Sequence, residues 1–205
     1  MNLAYKNITI SGLPGAGSST LAKTIADKLS WKYFGGGDFM RMYAKKIGTF
    51  SGDQKMHHDS RHYDEDFDRK VDYQQRQMVQ QEEGNVLDSW LSGFFAQGVP
   101  DTLKVLVLCS DDAIRIDRIV NRDDLSIEEA KHHIFDREQT NLNNWSKYYS
   151  KEWKQWVIDK GKAGADKRIN FWYPQLYDLV LDTYSMGQKE TLNAVLEKLG
   201  YQDQE

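Results

Sequence analysis

Apolar and polar positions along this chain switch repeatedly between two periods. The run Asn7-Ile8-Thr9-Ile10 and Ser11 is too short for a helix and gives way to glycines, so residues 7–11 read as a strand. Residues 18–29 place Leu21, Ala22, Ile25, Ala26 and Leu29 at helical spacing. Tyr33-Phe34 is a second short extended piece ending in Gly35-Gly36-Gly37, and Asp38 is the expected N-cap of the next helix. Residues 49–63 carry no period and read as irregular. A long polar helix follows from about Asp64 to Glu83, stopped by Gly84. Val86-Leu87, Lys104 to Cys109 and Leu179-Val180-Leu181 predict three further strands. Helices are predicted over 111–121, over 126 to about 149 and over 188–199. Ser126 with Glu129 starts the second as a capping box, and Gly200 ends the third. Strand–helix alternation at this spacing predicts an α/β fold, a parallel sheet with helices on both faces.

Bulk properties narrow the function. A chain of 205 residues supports one sizeable core, or a core with a small lid, and residues 1–205 are expected to form one domain. Its net charge of −4 does not suit a general surface for nucleic-acid polymers or anionic membranes. The single cysteine, Cys109, rules out an intramolecular disulfide framework, fits a reducing cytosol and reads as a core residue. The N-terminus lacks a signal-peptide pattern and no apolar run approaches ~18 residues, so a cytoplasmic protein without a membrane span is expected. Histidines 57, 58, 62, 132 and 133 have no metal-ligand frame around them and read as surface residues. Residues 159–168 are rich in Gly, Ala and Lys and read as a flexible surface loop. Trp145, Tyr148, Tyr149, Trp153, Trp156, Trp172 and Tyr173 crowd around it, either as a packed subcluster or as a base-stacking or partner surface.

Candidate chemistry begins at SGLPGAGSST, residues 11–20. It sits between the first strand and the first helix and fits the phosphate-loop spacing G-x-x-x-x-G-K-S/T, except that Ser18 takes the lysine position. Gly12, Gly15, Ala16, Gly17, Ser18, Ser19 and Thr20 are the expected phosphate binders. Glycines let successive N–H groups turn toward an anion, and the helix start adds partial positive charge, neither of which needs a side chain. Ser19 is the expected Mg²⁺ ligand, with Thr20 as the fallback. Arg41 lies one turn into the helix at Asp38, where a guanidinium can fork onto a phosphate. Arg115, Arg118 and Arg122 share one helix face and can clamp a phosphoryl group, or form a solvated face with the nearby aspartates. Asp68 and Asp72, with Gln75 and Arg76, either hydrogen-bond a nucleoside or form a polar helix face.

The stretches ITISGLPGAGSSTLAKTIADKL, GGGDFMR, FDRKVDYQQ, GNVLDSWLSGF, RIDRIVNRDDLSIEEAKHHIFDRE and YDLVLDT carry a family. In this order the chain resembles the cytidylate kinases, in particular the short archaeal-type branch of the nucleoside monophosphate kinases. The resemblance covers most of residues 7–185. It implies a P-loop three-layer sandwich with a five-stranded parallel sheet and a nucleoside-monophosphate-binding region at about 38–83. It also implies a lid at about 115–137, with 150–173 as an insertion. The implied reaction is phosphoryl transfer from ATP to CMP or dCMP with Mg²⁺, by a monomer or weak homo-oligomer. Arg118, Arg122 and Arg137 are the implied catalytic lid cations, and Asp38, Arg41, Asp72 and Trp90 fall at the acceptor. The chain departs from the family pattern at Ser18 (lysine), Trp90 and Asn144 (arginines) and Asn141 (an acid). Lys23, Lys45, Lys46, Arg61 and the loop lysines Lys160, Lys162 and Lys167 are the candidates to replace the missing charge. Two other readings stay open: a catalytically impaired nucleotide-binding protein with a sensing or partner role, and a kinase of another small acceptor.

Overall fold

The computed structural model describes residues 3–47 and 65–202. The irregular stretch expected over 49–63, with Arg61, therefore lies outside the described residues.

Five strands form one sheet: β1 (Asn7–Gly12), β2 (Lys32–Gly35), β3 (Asn85–Asp88), β4 (Thr102–Leu108) and β5 (Leu179–Asp182). Their order is β2-β3-β1-β4-β5, and every pairing is parallel. All five fall on the apolar runs that predicted them. Parallel strands flanked by helices are buried on both faces, which is why β1, β3 and most of β4 are buried throughout. Leu103, Val105 and Val107 of β4 join Ile8, Ile10, Leu21, Ile25, Val195 and Leu199 on one side. Leu106 points the other way, into a second cluster, as the period of two requires. Each such fully buried aliphatic contributes about 1.5–3 kcal/mol. Chain order reverses across β1, and in such sheets ligands bind beyond the carboxyl ends of the strands at that switch point.

The helices are α1 (Ser18–Leu29), α2 (Gly36–Ile47), α3 (Glu65–Gln81), α4 (Ser92–Phe95), α5 (Asp112–Asp123), α6 (Ile127–Lys131), α7 (Arg137–Tyr148), α8 (Ser150–Trp153) and α9 (Gln188–Leu199). The sequence reading contains neither α4 nor α8, and two of the helices it does contain depart from it. α2 begins at Gly36, so Asp38 is not its N-cap but an acid in its first turn. The cause is a tight approach: a Cβ on Gly36 would lie 2.8 Å from that of Ser89, so only glycine lets the helix leave the strand at once. The single helix expected over 126–149 is broken by a wider π turn at His132–Asp136, directly before Arg137. The expected Ser126–Glu129 capping box is present.

The aromatic residues form a packed subcluster. Phe94 and Phe95 of α4 meet Tyr149, Trp153, Trp156 and Phe171, with centroids 4.7 Å apart for Phe94–Phe171 and 4.9 Å for Phe95–Tyr149. Long side chains of α3 tie into it. Arg69 donates to the Tyr148 carbonyl at 2.6 Å and to Glu152. The Tyr73 hydroxyl donates to Glu152 at 2.6 Å. Arg76 lies 4.2 Å over the Trp156 ring and donates to the carbonyls of Phe95 and Gln97. Burial and the hydrogen bond to Glu152 push the Tyr73 phenol up to about 12. Cys109 is buried, as expected. Among the described residues, no helix is long and apolar enough to cross a membrane.

Candidate active site

Residues 13–17 turn the chain from β1 into α1. Gly15 and Gly17 hold φ of 79° and 92°, the left-handed region that L side chains avoid. A Cβ on Gly15 would also lie 2.6 Å from the Arg115 carbonyl oxygen. Three successive loop carbonyls are each held by a side chain from elsewhere in the chain. Pro14 accepts from Arg115 Nε at 3.1 Å, Gly15 from Arg118 Nη1 at 3.0 Å, and Ala16 from Thr183 Oγ1 at 2.8 Å. With these carbonyls held, the loop is left to present N–H groups other than that of Ala16, which donates to the Leu13 carbonyl at 3.0 Å. Gly17, the N-cap of α1, has no side chain to satisfy the helix's first N–H groups, which are what an anion needs.

Positions 18 and 19 differ in exposure. Ser18 is buried, with its Cβ 2.7 Å from where a Cβ on Gly12 would stand. Ser19 and Thr20 are exposed. Asp88, at the carboxyl end of β3, is buried beside them. Burial raises its carboxyl pKa, and hydrogen bonding from the hydroxyls of Ser19, Ser18 and Tyr33 opposes the rise. The Tyr33 hydroxyl lies 3.2 Å from Asp88 Oδ2. An exposed hydroxyl beside a strand-end carboxylate is a hard-oxygen pair that fits Mg²⁺, which takes few protein ligands and keeps its waters.

A cleft of about 1190 Å³ opens over this loop. Gly12, Gly15, Gly17, Ser18, Ser19, Thr20, Lys23, Asp38, Asp88, Trp90, Arg118, Arg122, Arg137, Tyr184 and Lys189 are on its walls. A second cavity of about 110 Å³ lies between α3 and α7, lined by Met40, Asp68, Val71, Asp72, Leu91, Asn141 and Trp145. The two share Gly37, Ser89, Trp90 and Arg137.

The predicted arginines separate by role. Arg115 is buried; it donates to Pro14 and pairs with Asp112 and, at 3.3 Å, with Glu138, so it braces the loop from beneath. Arg118 reaches the cleft but spends its guanidinium on the Gly15 carbonyl and both oxygens of Thr183. Arg122 is exposed and forks onto Asp123. Arg137 lies 4.7 Å over the Trp90 ring, on the wall common to both cavities. Trp90 in turn is held edge-on by Trp145 and Trp172, at 5.5 and 6.1 Å. The Arg41 side chain, like those of Lys45 and Lys46, lies outside the described residues. Lys162 donates to Gln97, toward the amino end of β4 and away from the cleft.

In the smaller cavity, Asp72 accepts from the Tyr149 hydroxyl at 2.6 Å and from Gln75 at 3.3 Å, and Gln75 accepts from Ser89 at 2.7 Å. Burial lifts the Asp72 carboxyl to about 7 despite the Tyr149 bond, with the Asp68 charge adding to the rise. Burial likewise pushes the Tyr149 phenol up.

The profile of the cytidylate kinase-like family matches residues 7–185. The chain belongs to the cytidylate kinase-like family. It is 28% identical over 190 residues to a cytidylate kinase of Archaeoglobus fulgidus, covering 93% of this chain and 92% of that one. It is 30% identical over 196 residues to a cytidylate kinase of Methanopyrus kandleri, covering 91% and 89%. Among solved structures it superposes on a shikimate kinase of Acinetobacter baumannii with a TM-score of 0.50 at 13% identity, covering 94% and 92%. That level of likeness speaks to the fold, a P-loop kinase sandwich. Membership in the cytidylate kinase-like family makes the chain a phosphotransferase of P-loop type.

Sequence reading passed over three residues of this site, Asp88, Thr183 and Lys189, and took Tyr149 only as one of the aromatics crowding residues 159–168. Asp88 had a signal, a carboxylate closing an apolar strand. Thr183 follows the last strand in the same way. Nothing local marks Tyr149, whose partner Asp72 is 77 residues away.

Proposed function

We propose that this protein transfers the γ-phosphoryl group of ATP to CMP or dCMP. The observation that carries the reading is the shared wall of the two cavities. A donor held in the larger cleft and an acceptor in the smaller one meet at Gly37, Ser89, Trp90 and Arg137. An acceptor phosphate oxygen attacks the γ-phosphorus, the bond to the β–γ bridging oxygen breaks, and ADP leaves. The loop N–H groups and the start of α1 hold the donor phosphates, with Gly12, Gly15, Ala16, Gly17, Ser18, Ser19 and Thr20 forming the cradle. Ser19, backed by Asp88, is the Mg²⁺ position; the ion neutralises charge on the phosphates when bound. Arg137, stacked on Trp90, is the cation best placed at the transferring group. Arg122 becomes a second lid cation if it leaves Asp123. Arg118 acts on the loop itself, as a positioning residue. Asp72 and Asp68 accept from amino or hydroxyl groups of the nucleoside; the family resemblance assigns Arg41 to the acceptor phosphate, and Asp38, assigned with it, lines the larger cleft. Residues 38–83 are then the monophosphate-binding region, 115–137 the lid, and 150–173 an insertion that supports the acceptor wall.

Incubation of the purified protein with Mg·ATP and a panel of monophosphates tests this. ADP formation with CMP and dCMP, well above that with AMP, GMP and UMP, is the expected result. ATP binding without turnover on any monophosphate would overturn it and favour a nucleotide-binding role.

A further inference from the structure

Position 18 raises a question of charge. The residue that would carry the loop's ammonium is a serine, a short side chain buried at the cleft wall beside Asp88. The cations of the cleft are not equivalent replacements. Arg118 is bonded to the loop's own carbonyl and Arg122 to Asp123. Arg137 is stacked on Trp90 at the wall shared with the smaller cavity, and Lys189 belongs to the first turn of α9.

Lys23 is different. It lies four residues after Ser19 on α1, so the two share a helix face. Helical side chains lean toward the N-terminus, which brings a long side chain at 23 back over the first turn, where the phosphates sit. The observed contacts agree. Lys23 Nζ lies 3.5 Å from Asp38 Oδ2 and 5.4 Å from the centroid of the Tyr33 ring. The Tyr33 hydroxyl reaches Asp88, the carboxylate beside Ser19. The ammonium therefore hangs in the cleft among the groups expected around the metal and the phosphates. Its pairing with Asp38 is weak: both side chains are about half exposed, at 55% and 42%, and pairs of that kind contribute little. A polyphosphate carries several negative charges against one for Asp38, and draws the ammonium away.

We propose that Lys23, from the second turn of α1, supplies the cation that position 18 lacks, leaving Asp38 for the phosphates of bound ATP. The proposal rests on the reading of the cleft as an ATP site, and its test reads ATP apart from any acceptor. Affinities for Mg·ATP and Mg·ADP are measured by calorimetry for the parent, Lys23→Met, Ser18→Lys and the double variant, with melting temperatures to verify folding. Charge-assisted hydrogen bonds predict a loss of roughly ten- to hundredfold in ATP affinity for Lys23→Met at unchanged melting temperature. Ser18→Lys in the Lys23→Met background should recover most of that loss, because the new ammonium enters the same place. Unchanged ATP affinity in Lys23→Met overturns the proposal, and so does a double variant no tighter than Lys23→Met. Lys23-dependent ATP binding with no transfer to any monophosphate would uphold Lys23 while removing the kinase reading above.

Discussion

On the function proposed above, the donor half of the site is made largely of main chain, whereas the acceptor half is made of long side chains and rings. In that donor half, Gly15 and Gly17 set the backbone, three carbonyls are held by Arg115, Arg118 and Thr183, and the start of α1 has no side-chain cap on its first N–H groups. In the acceptor half, Asp72, Gln75, Tyr149, Trp90 and Arg137 hold one another through side-chain atoms. The contrast explains why a serine at position 18 is compatible with phosphate binding. Main-chain N–H groups and a helix terminus bind an anion whatever side chain is present. Geometry made of side chains has no such reserve, so substitutions there should be felt in rate and specificity.

The strongest test of that contrast is Arg137→Met. With the donor loop intact, ADP affinity should stay within about twofold while the transfer rate falls by ~10³, the scale of a phosphoryl-clamping arginine. Comparable losses in both would show that the halves are not separable. Gly15→Ala should do the reverse. Its side chain meets the Arg115 backbone at a φ of 79°, and calorimetry should show ADP binding weakened by ~10²-fold, with a lower melting temperature. Trp90→Leu removes the ring beneath Arg137 without touching the loop, and a loss of about tenfold in rate is expected at unchanged ADP affinity. Glu152→Ala strands Arg69 and Tyr73 and should lower stability in urea by about 2 kcal/mol.

The last effect concerns pH. Asp72 titrates near 7 in the folded protein against 3.8 ordinarily. The folded state thus keeps a proton that the unfolded state has released between about pH 4 and 7. Through this group stability declines as pH rises across that window and levels off above it. Its surroundings set the size: Asp68 pushes the same way as burial, while Arg69 and the Tyr149 hydroxyl oppose. Asp72→Asn should flatten that part of the decline, seen as a smaller difference in urea midpoint between pH 5 and pH 8. An identical pH profile in parent and variant would place the ionisation elsewhere.

The strands were legible because each is an apolar run that a parallel sheet buries on both faces. The phosphate loop was legible because its motif is contiguous. The roles of Arg115 and Arg118 were not. A shared helix face says only that they point one way; whether they meet phosphate or the loop's carbonyls depends on a backbone about a hundred residues earlier. The start of α2 was misjudged because capping preference was weighed without the close approach of Ser89. The wider turn before Arg137 leaves no local mark in a sequence that otherwise reads as continuous helix.

The carbonyl anchors also order events in time. Pro14, Gly15 and Ala16 come early in the chain, yet their partners lie 101, 103 and 167 residues further on. Contacts of that separation carry a large loop-closure cost and form late. The phosphate cradle is therefore finished only when the last strand has docked, and a chain stalled before that point cannot hold nucleotide. Nucleotide binding during refolding should appear with the final phase, as a report that assembly is complete.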